Sequence, residues 1–168
     1  MHTSVETGTI ETIHLVAEEG GPPESVERAT AVAAMGLEGD RKVLAARAGG
    51  EPAVATNAQL TLITAEAIEQ AAESIGTSIP PGATRRNIVV RGLDVDRCVG
   101  RLLRVGGARV RGVEPCDPCG YLERTSGLPG ITRALVDRGG LRCEVLDGGP
   151  IAVGDEVLVV DEPPAPSA

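Results

Sequence analysis

The 168-residue chain has no tryptophan, no phenylalanine and a single tyrosine. Any core must therefore be filled by Val, Leu, Ile and Ala. These small, often branched side chains suit the tapered inside of a barrel or sandwich. Lysine is nearly as scarce, since Lys42 stands alone among 16 basic residues and the rest are arginines. Basic charge is also short overall, with 24 acidic residues giving a net charge of −8. That balance excludes a general binder of nucleic-acid backbone, whose affinity comes from neutralising phosphates. It leaves room for a local anion site built from the planar arginine fork.

Other absences narrow the chemistry. Only His2 and His14 are histidines, too few for a histidine-based metal centre or triad, and His14 reads as a half-exposed residue within a strand. No serine sits in a nucleophile-elbow pattern. No apolar run approaches the length of a membrane span, and residues 1–8 lack the charged-then-apolar order of a signal peptide. The expected setting is the cytoplasm, without a membrane or nucleic-acid partner, where thiols stay reduced.

The length fits one domain, expected over residues 1–162 and followed by a disordered Pro-rich tail at 163–168. Short β-branched runs recur at residues 9–17, 26–33, 59–63, 87–91, 102–105, 109–113, 141–146 and 156–160. The pair around Gly106-Gly107 is a hairpin signal. Its second member alternates Arg109 and Arg111 with Val110 and Gly112, which puts charge on one face. One clear helix starts at Thr64, a capping residue, and continues through Ala67, Ile68, Ala71, Ala72 and Ile75 to Gly76. Short helical turns are expected near residues 132–136. Residues 36–41 read as a glycine-rich loop, and 45–58 as irregular. Strands are not regularly interleaved with helices, so a parallel βαβ fold is disfavoured. The fold class is mainly β, a mixed β-barrel with one clear helix.

Cys116-Asp117-Pro118-Cys119-Gly120 is the sharpest local feature. Pro118 fixes the backbone before Cys119, and Gly120 permits close approach just after it. The loop presents the Cys119 thiol, and such a thiol becomes reactive where cations stabilise its thiolate. Three plainer readings compete: half of a zinc site completed by Cys98 and Cys143, a redox pair, or small core residues. Cys98 and Cys143, among apolar neighbours, read as core. Two further clusters are candidates: Gly39-Asp40-Arg41, closing a glycine-rich loop, could grip a polar ligand, and Arg85-Arg86-Asn87 at the start of a strand makes an anion-binding corner. Their plain alternatives are a surface ion pair and a solvated edge that discourages strand aggregation.

Taken in order, these segments resemble the MOSC family, named for the C-terminal domain of molybdenum cofactor sulfurase. The resemblance is carried by GLEGD with Arg41, by QLTLI with residues 64–68, and by RRNIVVRGLDV from Arg85. It continues through VGRLLRVGGARVRGVEPCDPCGYL and RGGLRCEVLDGGPIAVGDEV. It implies a pyruvate-kinase-barrel-like fold with Cys119 as the functional thiol, either as a sulfur carrier or as a ligand to molybdenum. Gly39, Asp40, Arg41, Arg85, Arg86 and Asn87 would line the cleft for a molybdenum–pterin cofactor. The resemblance also implies a cysteine desulfurase partner, through which alone pyridoxal phosphate would enter. A second implied activity is reduction of N-hydroxylated compounds with electrons from a separate electron-transfer protein. The plain alternative is a non-catalytic β-barrel interaction module whose cysteines are structural or hold zinc.

Overall fold

The computed structural model describes residues 6–160. The Pro-rich tail expected at 163–168 lies outside the described residues. Seven strands close into a mixed barrel. Around it run β1 (Thr7–Leu15), β6 (Ile88–Arg91), β5 (Leu60–Thr64), β9 (Leu141–Asp147), β8 (Ala108–Pro115), β7 (Leu102–Val105) and β11 (Glu156–Val160). Pairing of Thr7 with Leu158 and Thr9 with Glu156 shuts the seam between β1 and β11. Closure removes the unpaired edges on which other chains could template. β2 (Glu24–Val26) extends β1 outside the ring, and β3 (Arg28–Val32), β4 (Gly36–Leu37) and β10 (Gly149–Ala152) form a small second sheet.

Every barrel pairing is antiparallel except that of β5 with β6. A parallel neighbour needs a crossover, and the helix α2 (Ala65–Ile75) supplies it. The Thr64 hydroxyl accepts from the Ala67 N–H at 3.1 Å, and Gly76 stops the helix at φ 74°. Both ends fall where the sequence placed them. α2 lays Ala67, Ile68 and Ala71 against Ile63 and Val89 on the outside of the barrel. The strands beneath are thus buried on both faces, which accounts for the unbroken apolar run at residues 88–90. Inside the barrel, Leu60, Leu62, Ile88, Val90, Leu103, Val105, Val110, Leu141 and Val145 interdigitate without any aromatic ring.

The β7–β8 hairpin turns on Gly106-Gly107 as read, pairing Val105 with Ala108. Val110 and Gly112 face the core while Arg109 is exposed. Cys98 and Cys143 lie in the barrel core, 1% and 0% exposed.

Four expectations need correction. The run at 26–33 is two strands, because the chain bends at Glu27 and passes from one sheet to the other. The glycine-rich loop contains β4, and the first four residues of the segment read as irregular, 45–48, belong to the helix α1 (Arg41–Ala48). Only Val43 and Ala46 of that helix are buried, so it has no apolar stripe for periodicity to reveal. The segment after the Cys pair is helical at once: α3 (Gly120–Ser126) follows Cys119, and α4 (Ile131–Ala134) lies slightly earlier than the expected turn. Finally, His14 is buried at 5% exposure, not half-exposed. Its Nε2 meets Thr12 Oγ1 at 2.9 Å and burial lowers its pKa.

Candidate functional site

Cys119 is the exposed cysteine of the four, and Cys98, Cys116 and Cys143 are buried. Strand β8 ends at Pro115, and the next four residues carry the chain across the end of the barrel to α3. Cys119 takes the extended backbone of the residue before a helix, φ −139° and ψ 171°. Its carbonyl is fixed by the Leu122 N–H at 3.0 Å and by the Thr132 hydroxyl at 2.9 Å. The thiol is therefore presented from a tied backbone.

The thiol borders a cavity of about 240 Å³ lined by both members of the Cys pair. Arg41, Lys42, Arg85, Arg86 and Arg142 line it too, against the carboxylates of Asp40 and Asp117. Five cations facing two anions make a positive hollow in a chain whose net charge is −8. Low-dielectric walls concentrate such a field and raise the local concentration of anions. A larger cavity of about 720 Å³ lies elsewhere, and its lining includes Glu66, Asp94, Asp96 and Asp137 but no cysteine. The exposed thiol lines the smaller one.

Asp40 and Arg41 of one predicted cluster and Arg85, Arg86 and Asn87 of the other line the cavity with Cys119, Gly39 does not, and these members divide into scaffold and surface. Arg86 is scaffold. It is 8% exposed, and its guanidinium donates to three main-chain carbonyls: Gly139 at 2.8 Å, Thr84 at 3.1 Å and Cys116 at 2.9 Å. Desolvation pulls its pKa down, while Cys116 and Cys119 act in the opposite sense. The fork read as an anion grip thus pins the Cys loop to the segment that precedes β9. Gly139 makes this possible, since a Cβ there would lie 2.3 Å from the Cys116 oxygen.

Asn87 and Asp40 are also ties. The Asn87 amide donates to His14 O at 3.2 Å and Asp40 Oδ2 at 3.4 Å, and its Oδ1 accepts from the Thr61 N–H at 3.1 Å. Asp40 caps α1 by accepting from the Lys42 N–H, and it also accepts from the Val16 N–H. Gly39 holds φ +86°, the left-handed turn that carries the chain from β4 into this cap.

Surface cations remain for a ligand. Among the described residues, neither Arg41 nor Lys42 makes a side-chain hydrogen bond or ion pair. Desolvation, then the neighbouring Arg41 and Arg142, lower the pKa of Lys42. Arg85 donates to Gly21 O at 2.9 Å, and its guanidinium lies over the Tyr121 ring, 5.8 Å from the centroid. Lys42 and Tyr121, the chain's one lysine and one aromatic ring, thus share a single cavity with the presented thiol. Sequence reasoning noted both rarities without assigning them a place. Arg142 was missed because strand β9 brings it from a distant segment.

Among the described residues no three His, Cys, Asp or Glu side chains are grouped to hold a metal ion. The zinc reading needed Cys98 and Cys143 beside the pair, and both are committed to the barrel core.

A closed mixed barrel presenting one thiol to a cationic hollow defines a class of protein, and the comparisons identify it. The MOSC domain family model matches residues 41–158, and the chain belongs to that family. No curated protein matches. Among solved structures, the YuaD protein of Bacillus subtilis superposes with a TM-score of 0.79 at 18% identity, over 95% of this chain and 99% of that one. YiiM of Geobacillus stearothermophilus gives 0.69 at 20% identity, over 92% and 75%. YiiM of Escherichia coli gives 0.64 at 16%, over 92% and 71%. At these identities the likeness concerns the fold. No helix among the described residues is long and apolar enough to cross a membrane.

Proposed function

We propose that this MOSC domain carries sulfur on Cys119 and seats the anionic end of a molybdenum–pterin cofactor in the cavity beside it. One observation carries the reading: the exposed thiol opens onto a hollow whose cations outnumber its carboxylates five to two. In sulfur transfer, the Cys119 thiolate attacks the outer sulfur of a persulfide on a partner desulfurase. A bond forms from Cys119 Sγ to that sulfur, the donor's S–S bond breaks, and the donor cysteine leaves as a thiolate with no net oxidation. Pyridoxal phosphate acts only in that partner.

The residues present fit the cofactor in kind. Thiolate is the soft donor that suits such a metal, Arg41 and Lys42 would neutralise phosphate, and Tyr121 offers a flat face. Arg86 and Asn87 would hold the walls rather than the ligand. The cavity's 240 Å³ lies below the ~300–1,000 Å³ of sites that enclose a whole ligand. It therefore suits one end of the molecule, the metal supplying the sulfur-accepting centre when bound.

The test compares wild-type protein with Cys119→Ser. Each is offered cysteine with a cysteine desulfurase, then separately molybdenum cofactor. Wild type sampled at the earliest times gains one sulfur atom in intact mass, before any is released, and retains molybdenum through gel filtration, while the variant does neither. A variant that takes up both as well as wild type sinks the proposal.

A further inference from the structure

Cys116 has no part in the transfer described above, yet it lines the same cavity as Cys119 and differs from it in one respect: it is 3% exposed. Its backbone is tied at both polar groups, the N–H donating to Gly140 O at 2.8 Å and the carbonyl accepting from Arg86 Nη2 at 2.9 Å. Cys119 is tied through its own carbonyl. Asp117 and Pro118 alone separate them. Arg86 donates to the Cys116 carbonyl and lines the cavity that both cysteines line, so the pair shares one neighbouring cation. Two thiols on one cavity wall, one open and one shielded, are fitted for successive steps. The open one meets a bulky donor, and the shielded one meets only what its neighbour holds. Cys98 and Cys143 have no such access.

We infer that Cys116 is a resolving thiol, which converts the sulfur held on Cys119 into free sulfide inside the cation-lined cavity. This rests on the sulfur-carrier reading and adds the oxidation level at which sulfur leaves. The Cys116 sulfur attacks Cys119 Sγ, a Cys116–Cys119 disulfide bond forms, and the bond from Cys119 Sγ to the outer sulfur breaks. The outer sulfur departs with the bonding pair as hydrosulfide, taking up the proton that Cys116 gives away. Sulfane sulfur is reduced by two electrons and the two cysteines together are oxidised by two, so no outside oxidant enters. An external dithiol then reopens the disulfide. Anionic hydrosulfide is released beside Arg41 and Lys42, where an electrophilic centre held in the same cavity can take it.

Sodium polysulfide is the probe. Reduced wild type, Cys116→Ser, Cys116→Ala and Cys119→Ser are loaded briefly, desalted, and followed by intact mass and by released sulfide. Cys116→Ser and Cys116→Ala are expected to keep an added sulfur atom on Cys119, with a lifetime longer by about tenfold or more, because exchange needs a thiol within reach. Wild type is expected to release one sulfide per chain and to end two hydrogens lighter, with residues 116 and 119 joined in one disulfide-linked peptide. If the Cys116 variants hold persulfide while wild type holds it equally long without forming the disulfide, the resolving role is overturned and the carrier reading stands. If no protein takes sulfur on Cys119, both fall. Two Cys116 substitutions of different polarity, each checked by circular dichroism, keep a folding defect in one from deciding the result.

Discussion

Replacing Arg86 by glutamine tests the division between scaffold and ligand-facing cations. The side chain is 8% exposed and ties the carbonyls of Thr84, Gly139 and Cys116, so its loss strips a donor from three main-chain acceptors at once. A buried acceptor left without its partner costs about 1–3 kcal/mol. The glutamine amide restores one bond at best, so the expected loss is about 3–5 kcal/mol, the range for breaking a buried charged contact. For a domain of this size each kcal/mol corresponds to roughly 2–4 °C in Tm, so melting falls by about 10 °C. Lysine keeps the charge but not the fork, and Arg86→Lys is expected to recover less than half of the loss. Arg41→Gln is the control, since that guanidinium faces the same cavity without a hydrogen bond to a described residue. It should melt within about 2 °C of wild type while weakening retention of an anionic ligand. Thermal melts by circular dichroism read all three. If Arg86→Gln melts like wild type, or Arg41→Gln falls as far, the assignment of Arg86 to the scaffold is wrong.

In native Cys116→Ser protein a chromogenic disulfide reagent should modify one thiol rapidly, a reaction lost when Cys119 is also replaced by serine, and the other two only after unfolding, because both are buried. Stability should also fall with rising alkali. Burial raises Cys98 from 9.0 to about 11 and raises Cys143 as well. Above pH 9 the unfolded chain thus releases thiol protons that the folded chain keeps, and the slope of unfolding free energy against pH is negative. Cys98 alone accounts for a decline of roughly 2–3 kcal/mol by pH 11, visible in urea titrations and smaller in Cys98→Ala. Gly139→Ala should push the Cys116 carbonyl away, since the new Cβ would lie 2.3 Å from it. The expected loss is about 1–3 kcal/mol, with slower sulfur uptake at Cys119 in the intact-mass assay. Leu62→Ala, at the centre of the barrel with 0% exposure, should cost about 2–5 kcal/mol by denaturant titration without changing Cys119 reactivity below the melting transition.

Most of the barrel was legible because its strands obey local rules. Residues 102–113 alternate around a Gly-Gly turn, and Thr64 with Gly76 brackets an apolar helix stripe. Helix α1 was not legible, since two buried residues make no stripe and its start rests on the Asp40 cap. His14 was misjudged for a related reason. Strand alternation gives its face, but the Pro80–Gly82 segment that covers it comes from elsewhere in the chain, and a Cβ on Gly82 would touch its ring at 3.1 Å. At the site, the sequence pointed to Cys119 by its Pro-Cys-Gly setting and, by their arginines, to loops that line the same cavity. It could not say which arginine does what. Arg85 and Arg86 are adjacent, yet Arg85, at φ +61°, turns to Tyr121 while Arg86 turns inward to three carbonyls.

That divergence bears on how a barrel this short of aromatic rings builds a reactive end. The barrel interior is filled by aliphatic side chains and the buried thiols of Cys98 and Cys143, with no aromatic ring among them. At the barrel rim the polar side chains are held by main-chain groups: Arg86 and Asn87 donate to carbonyls, and Asp40 accepts from the Val16 N–H. Because those buried groups are satisfied locally, the remaining cations, Arg41 and Lys42, stay free to meet a ligand without the rim collapsing onto them. A positive hollow in an acidic protein is stable only on those terms: cations that would repel one another are held apart by a wall whose own charge is already paired with carbonyl oxygens. The thiol then sits between a wall fixed by those bonds and the cations Arg41 and Lys42, and Arg86 ties the Cys116 end of the loop to that wall.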